Sequence, residues 1–103
     1  MVTTAVKSTG QIVSEIESYM RQHGGVFSDW YVGVASDART RLFNDHNVAE
    51  NGDAWVFRDC GTDTASRAVE EYFLKRGCDG GPGGGDYTSR YVYAYKKTWR
   101  TRQ

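Results

Sequence analysis

Net charge, cysteine, proline and long apolar runs are all scarce in this chain, and each scarcity excludes something. Thirteen basic and thirteen acidic side chains cancel, so net charge argues for no particular partner. No apolar run is long enough for a membrane span or for the core of a signal peptide. The sequence therefore reads as a cytoplasmic, unprocessed chain with no membrane partner. Cys60 and Cys78 are the only cysteines; two thiols make no disulfide framework and in the cytosol would stay reduced. With His23 and His46 they could supply four metal ligands, but none of the spacings resembles a zinc knuckle. The single proline, Pro82, sits in Cys78–Asp86 among five glycines. No repeat and no second domain is visible, so residues 1–103 read as one domain with a modest core.

The charge that is present is unevenly placed. Residues 90–103 hold Arg90, Lys96, Lys97, Arg100 and Arg102 without an acid, giving +5 and leaving −5 on residues 1–89. Such an end either touches phosphates or is simply a solvated strand and tail. Residues 1–10 are small and polar, a flexible end. Ile12, Val13, Ile16, Tyr19 and Met20 then recur with helical period, predicting a helix over 11–23, capped near Ser8 or Thr9 and stopped by Gly24-Gly25. Ala54–Asp59 is a strand candidate. A further helix runs from Thr62 or Thr64 to Arg76, with Ala65, Ala68, Val69, Tyr72 and Phe73 as its core face and Ser66, Glu70 and Glu71 flanking it. The glycine-rich residues 78–89 predict a mobile loop, without the lysine and following helix of a P-loop. Arg90–Trp99 alternates, with Tyr91, Tyr93 and Tyr95 on one side and Val92, Ala94 and Lys96 on the other, the longest strand signal in the chain.

Information is densest between Trp30 and His46. Trp30–Ala35 (WYVGVA) has the composition of a buried or half-buried strand. Ser36 offers a helix N-cap with Asp37 in the first turn, and Ala38, Arg41, Leu42 and Asp45 share a helical face from which Arg39 is turned away. A phenol and a guanidinium, Tyr31 and Arg41, thus stand ten positions apart across a strand, a turn and a helix. This segment, followed after a strand by AVEEYFLKRG in the later helix, resembles the GIY-YIG nuclease superfamily over residues 30–76. Tyr31-Val32-Gly33 stands where that family has its YIG tripeptide, Arg41 at the family's arginine, and His46 at a histidine often found just beyond. Glu70, with Phe73-Leu74-Lys75 behind it, stands at the family's acid. The GIY strand that should precede Trp30 is missing: Gly25-Val26-Phe27 lacks the hydroxyl and lies too close to Tyr31 for a hairpin of two strands. The vacant place is assigned to the C-terminal strand Tyr91–Lys97, inserted between Trp30–Ala35 and Ala54–Asp59 as in a circular permutation.

The resemblance implies an α+β fold, a small three-stranded antiparallel sheet flanked by three helices, and metal-dependent cleavage of DNA. Glu70 would hold Mg²⁺ or Mn²⁺, Arg41 would grip the scissile phosphate, and Tyr31 would orient or deprotonate the attacking water, its pKa lowered by Arg41. His46 and Tyr93, the tyrosine chosen from the last strand, complete the catalytic set; Arg39, Lys96, Lys97 and Arg100 would contact nucleic acid. Each has a plainer reading, in which Glu70 and Glu71 face solvent and Arg41 bridges Asp37 or Asp45. A second function stays open on the same scaffold, an inactive binding module for nucleic acid or protein, such as an accessory or inhibitor protein of a phage or mobile element. Exposed aromatics, Trp30, Trp55, Trp99 and the tyrosines, would serve it as anchors. The chain would act as a monomer, or as a homodimer joined through its aromatic last strand.

Overall fold

A computed structural model describes residues 7–81 and 86–103 of the chain. Its sheet has three strands, β1 (Trp30–Ala35), β2 (Trp55–Asp59) and β3 (Tyr91–Lys96), in the order β1-β3-β2 with β3 antiparallel to both neighbours. The last strand of the chain is therefore the middle one, the place expected for it from the sequence. Register sets Gly33 opposite Tyr93 on one side and Phe57 opposite Tyr93 on the other. Because both edges of β3 are used, that strand offers no pairing edge to a second copy, and a dimer built strand to strand through it is ruled out.

Helices α1 (Thr9–His23) and α2 (Asp63–Lys75) cover one face of the sheet. Ser8 caps α1 by accepting from the Gln11 N–H, and Gly24, at a φ of 78°, ends it. Thr62 caps α2 by accepting from the Ala65 N–H. Ile12, Ile16 and Met20 of α1 meet Val69 and Phe73 of α2 and the inward residues Trp30, Val32, Val56, Val92 and Ala94 of the strands. Each such large side chain contributes roughly 1.5–3 kcal/mol on burial. Trp30, expected as an exposed anchor, is only 1 % exposed because it is the strand residue that fills the space under α1. Cys60 and Cys78 also belong to this core, and burial pushes both thiols up to about 11, so they are unreactive packing residues.

The exposed half of α2 differs from the expected one. Ser66, Val69, Glu70 and Phe73 are buried and Ala68 is exposed, because the Ser66 hydroxyl donates to the Ser89 carbonyl and turns the helix toward the loop before β3. Glu70 is thus not a solvent-side residue.

The other sheet face is covered by a helical turn over Thr40–Asp45 that is wound with i→i+5 bonds, the His46 N–H reaching the Arg41 carbonyl. Its cap is Asp37, whose carboxylate accepts from the Thr40 N–H, rather than Ser36. The wide winding seats Leu42 against Tyr93 and Tyr95 and leaves His46 over the sheet. The glycine-rich segment is ordered at its described ends, and residues 82–85, like residues 1–6 of the expected flexible end, lie outside the described residues. Val32 N–H donates to the Asp79 carbonyl and Asp79 N–H to the Trp30 carbonyl, so Asp79 closes the outer edge of β1. Glycine is needed beside it: a Cβ on Gly80 would lie 2.8 Å from the Val32 carbonyl oxygen. None of the described helices is long and apolar enough to cross a membrane.

Candidate active site

Tyr31, Tyr93 and Tyr95 stand together on the sheet face away from α1 and α2, because alternation puts odd-numbered residues of β1 and β3 there. Tyr31 stacks on Tyr95 with ring centroids 5.2 Å apart, and His46 lies 4.6 Å from the Tyr31 ring. Tyr93 folds over Gly33, where a Cβ would lie 2.5 Å from its hydroxyl oxygen. A glycine inside a strand here marks the close approach of a ring.

Hydrogen bonds fix the histidine tautomer. His46 Nδ1 is 2.6 Å from the Arg102 carbonyl oxygen, which can only accept, so Nδ1 carries the proton. Nε2 is then the bare nitrogen, and the Tyr93 hydroxyl, 2.7 Å away, donates to it. Tyr95 Oη sits 3.1 Å from Nδ1 and donates onward to the Gln103 side-chain oxygen. Burial, reinforced by the Arg41 charge, holds His46 below the ordinary histidine pKa, against the Arg102 carbonyl and Asp45; the ring is neutral at pH 7. Burial also drives Tyr93 and Tyr95 far up, so both keep their protons.

Tyr31 is the more accessible phenol. Its oxygen lies against the Gly81 backbone, where a Cβ would be 3.1 Å from it, and it feels the charges of Asp79, Arg41 and Glu70. Burial outweighs the nearby Gly81 backbone and Arg41, so its pKa is raised, not lowered by Arg41 as the sequence reading required. Arg41 holds Asp45 at 3.3 Å in a pair half open to solvent, and it lines a cleft of about 230 Å³ with Ser36, Asp37, Thr40, Asp86 and Ser89. Glu70 reaches the same neighbourhood from α2: its charge bears on both Tyr31 and Tyr93. It is 8 % exposed, has no hydrogen-bond or ion-pair partner among the described residues, and burial raises its pKa despite Arg67.

Comparison with known families, characterised proteins and solved structures gives no match. The chemistry therefore rests on the geometry alone.

Tyr31, Arg41, His46 and Tyr93 are brought together from three separate segments, and Glu70, on a fourth, bears on Tyr31 and Tyr93 by its charge alone. The four residues expected to bind nucleic acid are not gathered there. Arg39 pairs with Glu50, Lys96 donates to the His23 carbonyl, Lys97 pairs with Asp79 and Arg100 with Asp53. Tyr95, one of the three last-strand tyrosines open to the site from sequence, stands beside Tyr93 at His46; the Arg102 carbonyl, which fixes the ring, is missed because a backbone carbonyl leaves no trace in side-chain identity.

Proposed function

We propose that this protein is a small metal-dependent endonuclease of the GIY-YIG kind, a circularly permuted form that cleaves DNA phosphodiester bonds beside Tyr31. The observation that carries the reading is Glu70, a little-exposed helix carboxylate with no hydrogen-bond or ion-pair partner among the described residues, whose oxygens stay open to solvent and whose charge bears on two phenols.

The donor set suits Mg²⁺ or Mn²⁺ better than zinc. No group of three or more His, Cys, Asp or Glu converges among the described residues, whereas Mg²⁺ keeps most of its waters and takes one or two carboxylates. Glu70 would hold the ion, which when bound supplies positive charge to the phosphate oxygens and leaving group. Arg41 can give its fork of N–H donors to the phosphate once it leaves Asp45, an exposed contact worth little. Tyr31, neutral, orients the water through its own hydroxyl. Tyr93 takes a proton from that water as it passes its own to His46 Nε2, and the Arg102 carbonyl stabilises the imidazolium through Nδ1–H. His46 is thus the final proton acceptor and neither phenol needs to ionise.

The test is incubation of the protein with supercoiled plasmid and with branched DNA, with and without Mg²⁺ or Mn²⁺, beside Arg41→Ala and Glu70→Gln. Metal-dependent nicking that each substitution reduces at least about a hundredfold is expected; nicking that both leave unchanged overturns the reading. The second reading, an inactive module that binds DNA or protein, is favoured by Tyr87 and Trp99, which are 84 % and 92 % exposed. Salt-dependent DNA affinity without cleavage would select it.

A further inference from the structure

Beyond the tyrosine–histidine cluster, the same sheet face carries aromatics that the proposed chemistry does not use. Phe43, Trp55, Phe57 and Tyr91 are all half-buried and form a continuous row, with successive ring centroids 5.0, 6.1 and 6.2 Å apart. A guanidinium closes each end. Arg39 lies 5.1 Å from the Phe43 ring and 5.8 Å from Trp55, and Arg90 lies 5.6 Å from Tyr91. Part of the row lines an open groove of about 370 Å³, formed by Ser36, Asp37, Ala38, Arg39, Phe57 and Tyr91. Ser36 and Asp37 also line the Arg41 cleft, so the two depressions are neighbours across a shared wall. The acid in that wall is already engaged: Asp37 accepts from the Thr40 N–H and faces the Arg39 charge, which holds its pKa low.

We propose that this row is a stacking platform for unpaired DNA next to the scissile phosphate, so that the substrate is a single strand or an unpaired flank rather than continuous duplex. The inference rests on the endonuclease reading for the position of that phosphate. A base can lay its face on Phe57 or Tyr91 only when it has left its own stack, and such contacts tolerate any sequence because every base has a π-face. The groove has the volume of a small-ligand pocket, room for one or two nucleotides. Charge complementarity fits the same occupant. Arg39 and Arg90 are tied to Glu50 and Asp59 in pairs about half open to solvent, which phosphates can displace.

Binding is measured by fluorescence anisotropy on the full chain in EDTA, where no metal-dependent cleavage occurs. The probes are a labelled mixed-sequence single strand of about 12 nucleotides, an abasic strand of equal length, and the corresponding blunt duplex. The base-bearing strand should bind about tenfold tighter than either alternative, and Phe57→Leu and Tyr91→Leu should each remove roughly tenfold of that affinity. Arg39→Gln and Arg90→Gln, at exposed positions that do not support the core, should cost severalfold and flatten the salt dependence; they decide the matter if circular dichroism finds a leucine variant unfolded. Equal affinity for abasic and base-bearing strands, no DNA binding at all, or a sedimenting dimer that Phe57→Leu dissolves would each overturn the platform. The two proposals fail separately. Metal-dependent cleavage with no preference for unpaired strands removes the platform alone, and aromatic-dependent binding without cleavage removes the nuclease alone.

Discussion

The Tyr93 hydroxyl and His46 Nε2 are 2.7 Å apart across 47 positions of sequence, and the proton between them belongs to the tyrosine. The tautomer is set by the Arg102 carbonyl at Nδ1. Tyr93→Phe keeps the ring over Gly33 and removes the donor, leaving Nε2 unsatisfied in a buried place. The expected cost is about 1–2 kcal/mol, seen as a fall in the urea midpoint with an unchanged slope. If the chain is a nuclease, the same substitution lowers the cleavage rate by about a hundredfold or more, with little change in DNA affinity. Equal rates for the two proteins would remove the proton relay.

His46 should also give the protein a characteristic response to acid. Its folded pKa lies below the ordinary histidine value of 6.5 because of burial first and Arg41 second, opposed by the Arg102 carbonyl and Asp45. The unfolded chain therefore takes up the proton before the folded one does. The stability that results is complete above 6.5 and is lost as pH falls from 6.5 through the depressed value. Urea midpoints measured from about pH 8 to 5 should decline on the acid side, and His46→Gln should flatten that decline. Cleavage should follow the same limb, since only the neutral ring can accept a proton.

Glu70 has the opposite sign. Burial raises its pKa above the ordinary 4.5, so the folded state holds this proton more tightly than the unfolded one. Its carboxyl costs nothing below pH 4.5, and a penalty grows as pH rises through the raised value. Glu70→Gln should then stabilise the protein at pH 7 by about 1 kcal/mol, a rise of roughly 4–8 °C in Tm, with the gain vanishing in acid. Millimolar Mg²⁺ should raise the Tm of the original protein and leave Glu70→Gln unmoved. Thermal scans at two pH values, with and without the metal, make both comparisons.

Gly33→Ala tests the close packing beneath the relay. The added methyl would lie 2.5 Å from the Tyr93 oxygen and 2.6 Å from the carbon that bears it, so the whole ring must move. A loss of about 1–3 kcal/mol is expected from such overpacking, together with a change in the histidine ring signals in NMR. An alanine accepted without either change would mean that Tyr93 does not lie over β1.

Much of this arrangement could be read from the residues. Helical period located α1 and α2, and alternation located β3 and its tyrosine face, whereas the middle place of β3 was expected only from the family resemblance and not from the residues themselves. Rotation of α2 was misread because Ser66 looks like a surface residue until its hydroxyl is seen to reach the Ser89 carbonyl. The Asp37 cap and the i→i+5 winding after it escaped for a related reason, since a helical face counted at 3.6 residues per turn cannot register a wider one. Tyr31 was given the wrong direction of pKa shift because a nearby cation is visible in sequence and desolvation is not.

The sheet also has a schedule. Neither β1 nor β2 pairs with the other; each meets only β3. A ribosome that has already released both early strands has delivered two hydrogen-bonding edges with nothing to bind, and they stay open until residues 91–96 emerge. The nascent polypeptide is consequently at its most vulnerable to aggregation and to proteases just before its sheet can close. Removal of β3 would take away the strand that both others pair with rather than trim an end.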